Sequence, residues 1–520
     1  MSTRHSYVIL RSAVVAAVLM RSGVCVGQET AQPGEASLGD SVKELQAQVR
    51  ELRAAIAEMR AESQQYRQET SELRKELAAV RGTSDPAVNA SAKQEPNYGI
   101  QEQENRWSSA NRADRAASLE EQYQLLAGKI DEQYQTKVES ASKYRVRLSG
   151  IVLMNLFGNQ GTVDNMDFPA VVYDHAPGSS GGTFGATVRQ SQIGLEVFGP
   201  EVVGARTRAD LQFDFAGGFP RLPNGVSAGL VRLRTGTVHL DWGRTSVVAG
   251  QDGIFFSPQN PTSFATLAQP ALSYAGNLWA WVPQIRVEHR FAIGEDSTLL
   301  VQGGVLDGQS GEPPVGTGYR QPQAGERSRV PAFATRAAWS RTIFGQPLRL
   351  GVGGYYGRQD YGFSRNVDAW AGMADWEIPL GRIFSLSGEA YRGRALGGLG
   401  GGIWRSVLFS GDPNAPDSQV RGLNTAGGWA QMKYRATSRL EFNGGFGEDT
   451  SYTADIRAFP LPVAFGDPTL TKNQGSLANV IFRPRSDLLL SAEYRHMKTY
   501  TIDNGFYTAD HVNLSIGVLF

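Results

Sequence analysis

The sequence predicts an all-β transmembrane barrel of about sixteen antiparallel strands, preceded by an α-helical coiled coil. Three observations predict it. From Tyr144 onward, segments of about ten residues alternate apolar and polar side chains, the length a tilted strand needs to cross a bilayer. These segments come in pairs joined by short turns such as Gly199-Pro200, Gly345-Gln346 and Thr437-Ser438, and longer polar stretches separate the pairs. Short turns at one end and long loops at the other are the asymmetry of transmembrane barrels. Ahead of them, apolar residues from Leu38 to Val80 recur at alternating spacings of three and four, the seam of a coiled coil.

Residues 1–27 read as a signal peptide, with a charged start (Arg4, His5, Arg11), a short apolar core over Ala13–Met20 and small residues up to Gly27. Arg21 sits awkwardly just behind that core. Cys25, the only cysteine, precedes the expected cut, and Val24 before it fits a lipoprotein site poorly. The exported chain then has no thiol for a disulfide or a thiolate metal site. Beyond the signal no stretch of about 18 apolar residues returns, which excludes membrane-spanning helices. Lys and Arg total 51 and Asp and Glu total 51, so net charge gives no reason to expect nucleic acid as a partner.

Residues 38–81 form the expected coiled coil. Arg53, Arg60, Arg67, Arg74 and Arg81 fall at one flanking heptad position and Glu62, Glu69 and Glu76 at the other. In a parallel assembly Glu62 meets Arg67, Glu69 meets Arg74 and Glu76 meets Arg81, so the segment self-associates. Val and Ile at one seam position with Leu at the other favour a dimer, while Ser63 and Thr70 loosen the later core. Residues 82–111, with Asp85-Pro86 and Glu95-Pro96, read as a linker. A second helix is expected over 112–142, with Leu119, Tyr123, Leu126, Ile130, Tyr134 and Val138 on one face.

Residues 144–520 carry the barrel, in sixteen segments from 145–157 to 509–520. An even count returns the last strand to the side where the first began. Trp242, Trp279, Trp281, Trp339, Trp376, Tyr391, Trp404, Trp429 and Tyr434 lie near strand ends, where interface girdles are expected. The stretch 395–421 reads as loop. In the last segment Val512, Leu514, Ile516, Val518 and Phe520 alternate with Asn513, Ser515, Gly517 and Leu519.

A strand ending on Phe520 resembles the outer-membrane assembly signal of bacterial porins, which implies the assembly machinery and outer-membrane lipid as partners. The exported coiled coil, the linker and the sixteen-segment barrel together resemble the DcaP-like porins, and more loosely the phosphate-selective porins O and P. Val248-Ala-Gly-Gln-Asp-Gly-Ile-Phe-Phe256, with the uncharged stretch to Tyr274, is similar to that family's strand into its inward-folding loop. The resemblance implies a homotrimer, a pore narrowed by the third external loop, and small anionic or carboxylate solutes. The trimer disagrees with the dimer rule applied to the coiled coil. The barrel offers the larger interface and takes precedence.

No charge occurs from Gly253 to Ile285, a stretch that holds Phe255, Phe256, Phe264 and Tyr274. A long uncharged loop is costly in water and reasonable against a barrel wall, which marks it as a constriction. Placing the apolar side of each strand toward lipid turns Arg206, Arg208, Asp210, Asp214, Arg232, Arg234, Arg286 and Glu288 toward the lumen. Arginine forks there favour anions, whereas arginines each neutralised by an adjacent acid are structural. Chain direction puts Arg206 and Arg208 near one mouth and Arg232 and Arg234 near the other, so they form no single ring.

His175, His239, His289, His496 and His511 are dispersed, without the spacing of catalytic bases or metal ligands. No catalytic site, cofactor or metal is expected. The chain reads as a channel in the bacterial outer membrane for passive diffusion of small hydrophilic solutes, with a periplasmic coiled coil. The alternative is a structural protein tethering that membrane to the cell wall.

Overall fold

A computed structural model of the chain describes residues 137–138, 145–178, 180–218, 229–294, 296–311 and 320–520. The expected signal peptide, coiled coil and linker lie outside these residues, as does the second helix except at two positions. Lys137 and Val138 are extended and pair antiparallel with Arg147 and Val146, so the helical expectation is corrected there. An open strand edge satisfies their backbone groups as a helix would.

Sixteen strands close into one antiparallel barrel. They are β1 (Arg145–Gln160), β2 (Gly182–Thr187 and Gln192–Phe198), β3 (Arg206–Asp214), β4 (Arg232–Asp241), β5 (Thr245–Gly253), β6 (Trp281–Ala292), β7 (Ser297–Leu306) and β8 (Ala332–Ile343). Then follow β9 (Gln346–Asp360), β10 (Asn366–Pro379), β11 (Phe384–Arg394), β12 (Asn424–Arg435), β13 (Leu440–Ser451), β14 (Leu470–Phe482), β15 (Leu488–Thr501) and β16 (Phe506–Leu519). Each strand pairs with the next, and β16 returns to β1 with Ile151 opposite Leu519 and Gln160 opposite Asp510. Closure leaves no row of unpaired backbone groups.

Alternation decides which side of each strand faces out. On β16, Val512, Leu514, Ile516 and Val518 are exposed, while His511, Asn513 and Ser515 are buried inside. On β1, Val152, Met154 and Leu156 point outward, and Leu153, Asn155 and Phe157 inward. The outward residues join into an apolar belt of the kind that lipid covers. The seam is finished by Phe520, whose amide donates to the Gly150 carbonyl at 3.1 Å and whose carbonyl accepts from the Gly150 amide at 2.9 Å. Its ring lies so close to Gly150 that a Cβ there would meet it at 2.7 Å.

At one end of the barrel the connections are short, as at 242–244, 344–345 and 436–439. At the other end run 161–181, 215–231, 254–280, 307–331, 395–423 and 452–469, with brief links only at 361–365 and 502–505. The stretch 395–421, read as loop, is one, and it carries a small hairpin of Val407–Phe409 with Val420–Gly422.

The aromatic girdle needs correction. Trp339, Trp376 and Tyr434 alternate with the inward residues, and Phe384, Tyr434 and Phe442 stack outside at 4.8 and 5.9 Å. Trp429 and Tyr391, however, are buried on the inward face, and Trp404 packs beside Tyr274. A barrel whose interior is partly filled by its own loop needs inward apolar partners, and proximity to a strand end does not reveal them.

Two irregularities shape the interior. The ladder between β3 and β4 skips Arg234, since Gln212 pairs with Thr235 and Phe213 with Leu233. This bulge reverses the parity of β4, so that Arg232, Arg234, Thr237 and His239 all bond inward while Leu233 and Val238 are exposed. β2 breaks between Thr187 and Gln192, and there Gln190 is fully buried with its side chain turned inside.

Candidate functional site: a loop pinned inside the barrel

After β5 the chain does not return directly to β6. Residues 254–280 pass over the interior and are bonded to the inward faces of strands on the far side. The loop contributes no charged side chain, so its backbone groups are met by neutral amides of the wall. Asn479 donates to the Thr262 carbonyl at 2.8 Å, Asn155 to that of Phe264 at 2.9 Å and Gln190 to that of Ala265 at 2.9 Å. In return the Thr262 amide donates to the Gln431 carbonyl oxygen at 2.7 Å and the Ala268 amide to that of Gln190 at 3.1 Å. Glu389 accepts from the Ser257 hydroxyl at 2.5 Å and the Gln259 amide at 2.8 Å. Buried backbone groups need such partners.

Close approach seals the contact. Gly276, at φ +96°, lies so near β12 and β13 that a Cβ would stand 2.2 Å from the Gly428 carbonyl oxygen and 2.5 Å from that of Glu448. Glycine alone fits both constraints.

All four aromatics expected in this loop face protein. Phe256 is fully buried and stacks on Tyr355 at 5.3 Å, with Phe255 edge-on to it. Phe264 packs on an inward apolar patch of Ile151, Leu153, Ile481 and Leu489. Tyr274 meets Trp404 edge-on at 4.9 Å. Burial raises its hydroxyl pKa above the ordinary tyrosine value, and Asp164 and Tyr173 add to the shift.

These anchors lie on β1, β2, β11, β12 and β14, while against β5–β9 the loop makes apolar contacts through Phe255 and Phe256 and leaves part of that wall open. Between it and the loop is a cavity of about 520 Å³. Pro258, Asn260 and Trp279 line the loop side, and Asp252, Trp281, Arg286, Arg290, Gln302, Arg336 and Arg349 line the wall. Arg286 bonds Asp252 and Glu288, both at 2.7 Å. Arg336 forms a fork onto Asp375 at 2.9 and 2.7 Å. The pairs are not symmetric toward water. The Arg290 side chain is 47% exposed against 10% for Glu288, and Arg349 is 41% exposed against 29% for Glu377. At these two pairs the cationic ends face water more than their counter-charges do, whereas Asp252 is more exposed than Arg286, 27% against 11%, and Arg336 and Asp375 are both buried.

The expected lumen charges fall into separate groups. Asp214, fully buried, accepts from Arg232 at 3.0 and 2.6 Å and from Arg234 at 3.2 Å. Both arginines also donate to the loop, Arg232 to Ala268 and Arg234 to Leu267, and both lie over the Trp281 ring. They act as a clasp on the loop. At the short-turn end, Arg208 pairs with Glu196 at 3.2 Å, and Asp210 accepts from Thr237 at 2.7 Å and lies 3.0 Å from His239. Arg206 is exposed at the start of β3. Of the expected charges only Arg286 lines the cavity, and Glu288 is bonded to it.

Sequence reasoning missed Arg290, Arg336 and Arg349, and the anchors Asn155, Gln190, Glu389, Gln431 and Asn479. Arg336 was hidden because Ala332, Ala334 and Ala338 share its inward face, leaving no polar alternation to read.

Among solved structures, the outer-membrane channel DcaP of Acinetobacter baumannii is similar, with a TM-score of 0.57 and 17% identity over 74% of this chain and 99% of that one. The likeness is one of fold. At that level the resemblance read from the sequence is borne out. An anion-selective porin from Comamonas acidovorans has a TM-score of 0.47 and 13% identity, over 73% of this chain and 100% of that one. OprB of Pseudomonas putida has 0.41 and 12%, over 72% and 94%. Neither of these two is close enough to add to the argument. No family model matches the sequence, and no curated protein matches it.

Proposed function

We propose that this chain is a bacterial outer-membrane channel for passive diffusion of small hydrophilic solutes, favouring anions or carboxylates. The observation that carries the proposal is the loop 254–280, pinned to one side of the interior and leaving an arginine-lined cavity along β5–β9. A loop that fills part of a closed barrel narrows a water path, and Arg290 and Arg349, whose guanidinium groups are more exposed than their acids, attract anions. The apolar belt supports a place in lipid, and the long-loop end then faces outward, with residue 145 on the periplasmic side. Trimeric association through the barrel is part of the reading, as is self-association of the coiled coil.

Reconstitution into planar bilayers tests it. Discrete conductance steps are expected, with a zero-current potential of anion-preferring sign under a salt gradient. The preference should weaken as salt rises, because the screening length shortens. Absence of any conductance by folded protein would refute the channel and favour the tether.

A further inference from the structure

The outward face differs around the barrel. At the long-loop end of β1–β8 the outward strand residues are uncharged, among them Leu156, Phe184, Phe213, Leu233, Ile285 and Phe333, and the charges there, Asp307, Glu326 and Arg329, come from the connection 307–331. On β11–β15 the same end carries cations set among rings. Pairing register places Arg392, Ala426, Thr450, Lys472, Tyr500 and Phe506 in one row across six strands. Lys498 lies one row nearer the middle, opposite Gln474.

The Arg392 guanidinium sits 4.1 Å from the Tyr452 ring and 5.8 Å from that of Trp370, both exposed. It donates to the carbonyls of Gly393 and Thr425 at 2.8 and 3.0 Å, which leaves other donors of its fork for a ligand. Lys472 and Lys498 share the Tyr500 ring at 4.4 and 4.7 Å, and Lys498 is also 3.8 Å from that of Phe506. Of the two nearby acids, Glu448 is 3.9 Å from Lys472 and already accepts from Gln474 and Thr450. Asp510 is engaged by Tyr494 and His496. Among the described residues Arg392 and Lys498 have no salt-bridge partner.

Aromatic rings at one depth on a barrel's outside mark a bilayer interface, and cations among them meet headgroup phosphates. We infer that the long-loop rim of β11–β15 is a docking site for a phosphorylated glycolipid of the outer leaflet, with Arg392, Lys472 and Lys498 binding its phosphates. Arg392 and Lys472 stand three strand spacings apart, about 14 Å, which suits a headgroup carrying two phosphates. Trp370, Tyr452 and Tyr500 lie against its sugar and upper acyl chains. The inference rests on the outer-membrane reading above.

The test is titration of the full chain in neutral detergent, followed by native mass spectrometry, with lipid A carrying two phosphates, its dephosphorylated form, and inorganic phosphate. Bisphosphorylated lipid should bind at least about tenfold more tightly than the dephosphorylated form, a difference of roughly 1.4 kcal/mol. The triple variant Arg392→Gln, Lys472→Gln, Lys498→Gln should lose that preference. Equal binding of both lipids, or a preference that survives in the variant, overturns the site. Displacement of the lipid by millimolar inorganic phosphate overturns the assignment to a lipid. If the triple variant does not fold, Lys498→Gln alone must still lower the preference. Conductance measured on the same preparations separates the readings, because these side chains lie outside the lumen. Lipid preference without conductance defeats the channel and leaves this site standing.

Discussion

The two inner walls of this barrel are both polar, yet they do opposite things. On β1, β2, β12 and β14 the inward polar groups that meet the loop are neutral amides, and they hold a neutral loop by direct hydrogen bonds. On β5–β9 they include arginines paired with acids, which line the open cavity beside the places where Phe255 and Phe256 pack on the wall. The difference follows from desolvation. An amide loses little on meeting a carbonyl, whereas a guanidinium withdrawn from water needs a full set of partners. The clasp formed by Arg232, Arg234 and Asp214 joins the two regimes, because there a buried acid and two loop carbonyls complete the set, and Arg495 does the same on a smaller scale, bonding Glu493 and the Ser263 hydroxyl.

The comparison breaks most visibly at Gly276. Gly276→Val forces a side chain into the backbone of β12 and β13 and should unseat the loop, raising single-channel conductance severalfold. An unchanged conductance would show that the loop does not limit the water path. Next in size is Asp214→Asn, which leaves two partly buried arginines without an anion. Urea unfolding in detergent should record a loss of about 3–5 kcal/mol. Asn479→Leu removes one neutral donor from the Thr262 carbonyl and should cost less, about 1–3 kcal/mol. Equal losses would erase the distinction between clasp and amide wall. The smallest structural effect belongs to the double change Arg290→Gln and Arg349→Gln. Stability should move by less than about 0.5 kcal/mol for such exposed groups, while the zero-current potential shifts toward cations, most clearly at low salt.

Much of this molecule was legible in the sequence because a period of two is a strong signal where one face meets lipid. The sixteen strands and the alternating last strand follow from it, and the inward loop from its lack of charge. The rule failed where the inside is apolar as well. Trp429 and Tyr391 looked like girdle residues, and Arg336 vanished among alanines. The anchors were invisible for another reason. Asn155, Gln431 and Asn479 carry no charge, and only the register of strands far apart in sequence brings them under one loop. The bulge at Arg234 left no trace of its own, although the lipid-facing assumption still placed Arg232 and Arg234 inside.

The seam between β1 and β16 has a consequence for the order of events. The Asn155 amide that holds the Phe264 carbonyl also bonds Asn513, 358 positions away in sequence. Contacts of such separation form late, after nearer pairings have cut the entropy of closing the loop between them. The loop 254–280 takes its anchors from β1 and β2 on one side of that seam and from β12 and β14 on the other, so it has no seat until the cylinder has closed. Its narrowing is therefore a last step of assembly. An unclosed intermediate carries the same residues as a wide, leaky trough, with the apolar segment still waiting for its wall.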